Sequence, residues 1–330
     1  MKKIITTLVL VVVAVMLFKT LSKTEEVVET TEVSAEKKAA EMDSAKADVP
    51  EQDVVAKTSA PVEEVKTDVA QSSNAEGVNK PTRFKVCADP FSLPSSNKNQ
   101  EGYENKIAKL FADDLGVPLE FEWFPQRIGF IRNTLRSDET DDGTYKCDIV
   151  MGTIENFEMA ATTKPYLHSS WAMVYVKGRG LDEIKSQEDL MNISPELKEK
   201  LRIGLFDRSP AADWLHTYGL MLNAKPYQIM MGDARAYPGQ IIEQDLVEDK
   251  INMTFVWGPI AGYFAKAIKD HEIVVIPMKS EPGIRFNYKI AMAVRFGEKE
   301  WKEQINQLID KNQDEIDKIL TEYGVPLLKL

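Results

Sequence analysis

The chain has 330 residues, with 41 Lys and Arg against 52 Asp and Glu, and a formal net charge of −11. Its length allows two domains, and its acidity without a visible basic face argues against nucleic acid as a partner. The acidity is uneven, because residues 19–80 hold 8 Lys against 14 acidic residues.

The amino terminus has the pattern of an export signal. Lys2 and Lys3 precede a mostly apolar run over residues 4–18, as in secretory signals. This run is shorter than the about 20 residues of a spanning helix, and no clear cleavage motif follows it. Residues 1–23 are therefore predicted to be a cleaved signal peptide or a retained inner-membrane anchor. Either alternative predicts a periplasmic protein that contacts the membrane only through this segment.

Residues 24–82 have the composition of a linker. They contain no aromatic residue and are dominated by Glu, Lys, Ala, Val, Thr and Ser. Such a segment cannot bury enough apolar surface to offset its chain entropy. We predict a disordered acidic tether, with a simple spacer behind a cleaved signal as the alternative.

The folded part is predicted to begin at residue 83. A strand in RFKVCADP is followed by the loop FSLPSSNKNQEGY and the helix ENKIAKLFADDLG, which ends in glycine. The strand LEFEWF, the helical stretch PQRIGFIRNTLR and the buried strand KCDIVMG come next. Strands that alternate with helices predict an α/β fold with a parallel sheet.

A second series of elements follows the strand HSSWAMVYVK. The strand LRIGLF leads to Ser209 as an N-cap and Pro210 as the first residue of a helix. The remaining predicted elements are a strand near PYQIM, a helix through IIEQDLVED, the strand INMTFV, a helix from Ile260 to Lys269, the strands EIVVIP and YKIAMAVR, and a long terminal helix. That helix carries the apolar stripe Trp301, Ile305, Leu308, Ile316, Ile319 and Leu320, which we expect to be core.

The only two cysteines, Cys87 and Cys147, both lie in this folded part. A pair of cysteines in an exported chain favours a disulfide. However, Cys87 lies near the end of its predicted strand and Cys147 near the start of another, and neighbouring parallel strands would hold them too far apart. A disulfide and two buried thiols stay as alternatives.

The order of these elements, and several phrases, resemble the type II periplasmic solute-binding proteins. The phrases are GYENKIAKLFADDLG, KCDIVMG followed by TKPY, and IDKILTEYG, and the resemblance covers residues 84–330. It implies a two-lobed fold in which each lobe is a mostly parallel sheet flanked by helices. Lobe 1 would comprise residues 83–176 and 279–330, and lobe 2 residues 177–278.

A narrower set of phrases resembles the methanol-oxidation J proteins (MxaJ/XoxJ). The set is VCADP with FSLPSSN, WFPQRIGFIRNTL, CDIVMG, TKPYLHSSWAMVY and VWGPIAGYFAK. The resemblance implies a periplasmic accessory protein that binds a methanol dehydrogenase dependent on pyrroloquinoline quinone (PQQ) and helps to mature or activate it. The expected partner is the lanthanide-dependent form of that enzyme. The partner enzyme, rather than this chain, would carry PQQ and a metal. The chain departs from the family pattern in its longer acidic loop before CDIVMG and in Asn252, where an acid is usual.

The alternative implied by the superfamily is a solute receptor that delivers a small ligand to a membrane transporter of the ABC type. Amino-acid-binding members clamp the ligand carboxylate with an Arg that follows the third strand, a role that suits the planar guanidinium. This chain has no Arg between Arg136 and Arg179. A standard amino acid is therefore not the expected ligand.

The ligand crevice of an open α/β sheet lies beyond the carboxyl ends of its strands. This rule predicts the cleft residues Asp89, Pro90, Gly152, Thr153, Asp207, Arg208, Ser209, Trp257, Gly258 and Pro259. They suit a small molecule or a loop of a partner protein, and both alternatives stay open. Competing interpretations are that Asp89 and Asp207 form turns and that Trp257 is a core side chain. Arg127 and Arg132 are candidate partner contacts, with solvated charges as the alternative.

Catalysis finds little support in the sequence. The histidines His168, His216 and His271 are far apart and lack the spacing of metal ligands. No G-x-S-x-G motif is present, and neither cysteine lies in a nucleophile signature. We expect no enzyme activity, no metal site and no permanently bound cofactor.

Overall fold

The computed structural model describes residues 81–138, 144–228, 233 and 235–330. The predicted signal or anchor and nearly all of the predicted tether lie outside these residues. Within the described ranges, no helix has the length and apolar character needed to cross a membrane.

Strands and helices alternate along the described chain. The strands are β1 (Phe84–Ala88), β2 (Phe91–Ser92), β3 (Ser96–Asn97), β4 (Leu119–Trp123), β5 (Ile149–Ile154), β6 (Ala161–Val176), β7 (Ile203–Phe206), β8 (Ala224–Tyr227), β9 (Met253–Trp257), β10 (Ile273–Pro277) and β11 (Asn287–Val294). The α-helices are α1 (Tyr103–Leu115), α2 (Phe130–Asn133), α3 (Gln187–Met191), α4 (Pro195–Lys200), α5 (Pro210–Thr217), α6 (Gly258–Ala267) and α7 (Lys299–Glu322). A 3-10 turn (Met221–Asn223) and a π-helical segment (Ile241–Leu246) complete the set.

One mixed sheet of nine strands runs through the part of the chain that the structure describes. Its order is β4-β1-β5-β11-β6-β9-β7-β8, and β10 also pairs with β6. The outer trios β4-β1-β5 and β9-β7-β8 are parallel, whereas β6 and β11 run antiparallel to their neighbours. The predicted α/β fold is confirmed, and β2 and β3 add a small hairpin.

The long strand β6 joins two sections of this sheet. Its first part, through Ser170, pairs with β11, and Trp171 to Val174 pair with β9. We call β4, β1, β5, β11 and the first part of β6 the first section. The rest of β6 with β10, β9, β7 and β8 is the second section.

Strand β6 begins at Ala161, seven residues before the start predicted from the sequence. The predicted strand HSSWAMVYVK starts after Pro165, a residue type that lacks the N–H that a sheet requires. In the structure the register with β11 shifts between the pairs Leu167–Ile290 and Pro165–Ala291. A proline is tolerated at such an irregularity, so the strand continues through it.

The stretch PQRIGFIRNTLR is helical over only four residues, Phe130–Asn133. Gly129 precedes this helix with φ at 86°, a left-handed conformation that favours glycine and interrupts any helix through the stretch. The sequence prediction was therefore too long at both ends, because the helix also stops at Asn133, before Thr134, Leu135 and Arg136.

Two short helices were not predicted. Helices α3 and α4 follow Ser186 and Ser194, whose side chains accept hydrogen bonds from the backbone N–H groups of Asp189 and Leu197. Both are serine caps with the expected geometry. Each helix is too short to show a clear apolar period.

The core of the first section lies between the sheet, α1 and α7. Phe84, Ile107 and Phe111 are fully buried there, together with Ile305 and Ile309 of α7. The predicted apolar stripe of the terminal helix is confirmed at its buried positions. Its first member, Trp301, is only partly buried and donates from Nε1 to the carbonyl oxygen of Asp148 at 3.2 Å.

The opposite face of the first section holds a disulfide between Cys87 and Cys147, whose Cα atoms are 5.5 Å apart. Cys87 lies opposite Val150 in the parallel register. Cys147 reaches it because the chain bends at residues 146 and 148, just before β5 begins. The sequence argument against a disulfide assumed that the chain before β5 is extended, and these bends show that it is not. Of the two alternatives, the structure has the disulfide.

Candidate functional site

A cleft lies where loops from the carboxyl ends of β1 and β7 approach each other. It contains a cavity of about 230 Å³, which we call the cleft pocket. Its lining comprises Asp89, Phe91, Ser92, Gln126, Arg127, Phe206, Gln228, Ala236, Tyr237 and Pro238. The pocket lies at the strand ends where the topology of an α/β sheet predicts a ligand site.

Asp89 organises the loops of the first section. Its carboxylate accepts hydrogen bonds from the backbone N–H of Phe91 at 2.8 Å and of Gln126 at 2.6 Å. Its carbonyl oxygen accepts from Ser96 Oγ at 2.8 Å. Asp89 thus has the contacts of a turn former while it also lines the cleft pocket. The adjacent Pro90 accepts a backbone bond from Lys98.

A second acid, Glu104, was missed by the sequence prediction. It lies in the first turn of α1, and its carboxyl group faces Gly152 of β5, where an added Cβ would lie 2.4 Å from Oε1. Burial, and then the negative charge of Asp89, raise the pKa of Glu104 to about 8. The only sequence signal was an acidic residue just after Gly102, at the start of a helix.

Tyr166 lies beside Glu104 on the buried side of the sheet. Its hydroxyl is fully buried and has no hydrogen-bond partner in the part of the chain that the structure describes. Burial raises the pKa of Tyr166, and the nearby Glu104 and Tyr103 raise it further. A desolvated carboxyl group and an unpartnered phenol therefore lie close enough to influence each other electrostatically.

The predicted cleft residues of β5 have different surroundings. A side chain at Gly152 would displace the Glu104 carboxyl group, which lies where a Cβ would be. Thr153 is buried, and its hydroxyl donates to the carbonyl oxygen of Ala291 at 3.0 Å. The hydroxyl of Thr153 therefore stabilises the pairing of β5 with β11.

The loop after β7 contains three predicted cleft residues. The backbone N–H of Asp207 donates to Tyr227 at 2.9 Å, and Arg208 has a left-handed φ of 57°, which is uncommon outside glycine. Ser209 occupies the predicted N-cap position of α5, with Pro210 as the first helical residue. The hydroxyl of Ser209 is buried and makes no capping bond, nor any other hydrogen bond to the described residues.

Trp257, Gly258 and Pro259 lie away from the lining of the cleft pocket. The Trp257 ring meets Tyr288 edge to face at 6.1 Å. An added Cβ on Gly258 would lie 2.3 Å from the carbonyl oxygen of Ser170, where β6 passes between the sections. Trp257 and Gly258 thus lie at the junction of the sections, and Pro259 is buried in the first turn of α6. The part of these three residues in ligand binding stays a prediction.

The two candidate contact arginines differ. Arg127 Nη2 donates to the carbonyl oxygen of Asp233 at 2.7 Å, a bond that joins the two sides of the cleft. Arg132 is exposed on α2. Between them, Ile128 is exposed by 83%, which places an apolar side chain among charged ones on this surface.

Lys164 does not supply the missing carboxylate clamp. It is the only basic residue in the segment from Gly152 to Tyr166, and its ammonium group pairs with Asp310 of α7. Among the described residues, no group of three or more His, Cys, Asp or Glu side chains is arranged to hold a metal ion.

Known proteins resemble this chain over most of its length, although no protein-family model matches it. It is similar to the crystal structure of periplasmic binding protein XoxJ from Methylobacterium extorquens AM1, with 32% identity, a TM-score of 0.58, and coverage of 75% of this chain and 100% of that chain. The crystal structure of MxaJ from Methlophaga aminisulfidivorans MPT gives 26% identity and a TM-score of 0.59, covering 74% of this chain and 100% of that one.

Two curated proteins of Paracoccus denitrificans are also similar. Protein MoxJ is 25% identical over 260 residues, which are 75% of this chain and 90% of that protein. The second, described as an uncharacterized protein in cycB 3'region, is 56% identical over 45 residues. That match spans 14% of this chain and only about half, 54%, of the other protein.

Proposed function

Because the chain belongs to the methanol-oxidation J family of periplasmic binding proteins, we propose that it is an accessory protein of a PQQ-dependent methanol dehydrogenase. The observation that carries the proposal is the 32% identity to XoxJ across the full length of that chain. Family membership also confirms the type II periplasmic-binding-protein fold predicted from the sequence. In this role the chain binds the dehydrogenase in the periplasm and assists its maturation or activation.

The chemistry of the cleft supports a role other than amino-acid capture. The stretch between Arg136 and Arg179 contains no Arg, and Lys164 is paired with Asp310. Arg127, which lines the cleft pocket, is hydrogen-bonded to Asp233. Lys164 and Arg127 are therefore already engaged, and the stretch after Arg136 supplies no Arg that could bind a ligand carboxylate.

The dehydrogenase is proposed to be the lanthanide-dependent type and to carry both PQQ and the metal, while this chain carries neither permanently. The amino-terminal segment is proposed to keep the protein at the inner membrane, where an exported enzyme would be assembled.

The proposal is tested by immobilising the full chain and passing periplasmic extract of methanol-grown cells over it. We expect a quinoprotein dehydrogenase to be retained, and we expect the chain to accelerate loading of PQQ into the purified metal-containing apoenzyme. Parallel assays with calcium-dependent and lanthanide-dependent enzymes decide the type. Failure to retain either enzyme, with no change in loading rate, would reject the accessory role.

The surface around Ile128 is the proposed contact for the dehydrogenase. Replacing Ile128 with Ser removes an exposed apolar side chain, and replacing Arg132 with Ala removes an exposed charge. Each variant is expected to weaken dehydrogenase binding by about tenfold, the effect of about 1.4 kcal/mol, with unchanged thermal stability. Arg136→Ala, which alters another exposed arginine after α2, is the matched control. Unchanged binding in both test variants would place the contact elsewhere.

A solute receptor is the second candidate function. The cleft pocket of about 230 Å³ favours it, as does the unpartnered hydroxyl of Ser209 near the second side of the cleft. Thermal-shift measurements against alcohols and other small non-amino-acid solutes test this role. Strong stabilisation by one solute, together with no bound dehydrogenase, would favour the receptor.

A further inference from the structure

A second cavity lies beside the cleft pocket, between the β2–β3 hairpin and α6. It has a volume of about 310 Å³, within the range of small-molecule sites in proteins. We call it the hairpin pocket. Phe91 and Tyr237 separate it from the cleft pocket, because both residues line both cavities.

The walls of the hairpin pocket are aromatic. Tyr237 stacks on Phe264 with ring centroids 6.0 Å apart and an angle of 17° between the planes. Tyr263 meets Phe264 edge to face at 5.0 Å, and Phe91 closes the hairpin side. Flat rings held in this way offer faces and edges that another planar ring can stack against.

These walls are held in place before any ligand binds. An added Cβ on Gly239 would lie 1.9 Å from Phe264 Cε2, so this glycine lets the Phe264 ring rest directly on the backbone. The hydroxyl of Tyr237 donates a hydrogen bond to the carboxylate of Glu243, which fixes the orientation of the Tyr237 ring. A site with ordered walls loses little conformational entropy on binding.

The acidic groups at the hairpin pocket accept hydrogen bonds from neighbouring side chains, whereas the basic side chains that line it do not pair with described residues. Glu243 accepts the bond from Tyr237, and the nearby Glu101 accepts hydrogen bonds from Asn97 and Asn99 of the hairpin. Lys98 and Arg235 also line the pocket. Neither side chain forms an ion pair or hydrogen bond with the residues that the structure describes. The ammonium group of Lys98 and the guanidinium group of Arg235 are therefore available as hydrogen-bond donors to a ligand.

We propose that the hairpin pocket binds a planar aromatic carboxylate. The ring lies against the faces of Tyr237 and Tyr263, and the carboxylate meets Arg235 and Lys98. Arginine suits this group, because its planar guanidinium can donate two parallel hydrogen bonds to one carboxylate. An aromatic ammonium fits less well, since it would face both cations while the acids are already hydrogen-bonded. The proposal does not depend on the dehydrogenase role.

Isothermal titration calorimetry of the full chain tests the ligand class, with naphthalene-2-carboxylate as the probe. Naphthalene-2-carboxamide keeps the ring and removes the charge, and 2-naphthylmethylamine reverses the charge. The carboxylate is expected to bind at least about tenfold more tightly than either, since one charge-assisted contact supplies at least that factor. Equal binding of the amide, tighter binding of the amine, or no binding of the carboxylate at millimolar concentration would overturn the proposal.

Two pairs of variants test the location. Arg235→Ala is expected to weaken carboxylate binding about tenfold, whereas Arg136→Ala, an arginine outside both cavities, leaves it unchanged. Ala267→Leu fills the hairpin pocket and is expected to abolish binding, whereas Ala236→Leu fills only the cleft pocket and leaves it intact. The reverse result for the two leucine variants would place the ligand in the cleft. Should Ala267→Leu lower the melting temperature, the arginine pair still decides.

Discussion

At the scale of single residues, Glu104 is the least expected feature of the cleft. Its carboxyl group has no cation or hydrogen-bond donor among the described residues, and it lies near the negative charge of Asp89. Desolvation and this charge both favour its protonated form. The pKa of about 8 means that the group titrates within the range of ordinary buffers.

This pKa predicts a pH-dependent stability. Below the ordinary value of 4.5, Glu104 is protonated in both the folded and the unfolded chain. Between about 4.5 and about 8 only the unfolded chain releases the proton, so the free energy of unfolding falls as the pH rises. Above about pH 8 Glu104 is ionised in the folded chain as well, and the free energy of unfolding has then fallen by the full amount that this group contributes.

The test replaces Glu104 with Gln, which stays neutral at every pH. We expect the melting temperature of the wild type to fall relative to the variant between pH 5 and pH 9. The control Glu158→Gln changes an exposed glutamate and keeps Glu104, so the difference between its melting temperature and that of the wild type should stay constant over this pH range. Parallel melting curves for the wild type and Glu104→Gln would contradict a raised pKa.

The sequence could not have predicted this behaviour of Glu104. An acidic residue in the first turn of a helix is ordinarily a solvated group that complements the helix dipole. Its desolvation arises because α1 packs on β5 at Gly152, a residue 48 positions further along the chain. By contrast, the position of Asp89 at the cleft followed from its place after β1.

At the scale of elements, α6 and the end of α7 approach each other unusually closely. An added Cβ on Gly262 would lie 1.8 Å from the carbonyl oxygen of Gly324. Around this contact, Tyr263 stacks on Tyr323 at 5.8 Å, and Lys266 Nζ donates to the carbonyl oxygen of Glu322 at 2.7 Å. The helix that follows β9 is thus fastened to the carboxyl-terminal region, which packs on the first section.

Gly262→Ala tests this close approach. In a free helix the change would stabilise by about 1 kcal/mol, because alanine has the higher helix propensity. Here the new methyl group meets backbone atoms, and we expect a net loss of about 1–3 kcal/mol in the free energy of unfolding. Lys266→Ala, which removes only the exposed hydrogen bond, should cost less. A stabilised Gly262→Ala variant, measured in urea, would contradict the contact.

At the scale of the whole molecule, the disulfide between Cys87 and Cys147 limits the freedom of the unfolded chain. It closes a loop with a sequence separation of 60. A loop of this size is expected to contribute about 2–4 kcal/mol to stability, chiefly by restricting the unfolded ensemble. The contribution depends on an oxidising compartment, in keeping with a family of periplasmic proteins.

Replacing both cysteines with Ala is expected to lower the free energy of unfolding by that amount. Urea denaturation measures the loss, and a reductant added to the wild type should reproduce most of it. The same reductant should leave the double variant unchanged. An unchanged urea midpoint for the reduced wild type would show that the crosslink contributes nothing.

The amino-acid sequence was sufficient to predict the α/β order of elements and the family, and it shows that no Arg lies between Arg136 and Arg179. These follow from local apolar periods, from short phrases and from composition, which need no knowledge of distant contacts. The packed fold was needed to show how β6 continues through Pro165, how Cys147 reaches Cys87, and where the aromatic hairpin pocket forms. Each of these depends on groups that are far apart in the chain, and their spacing and desolvation arise only when the elements pack together.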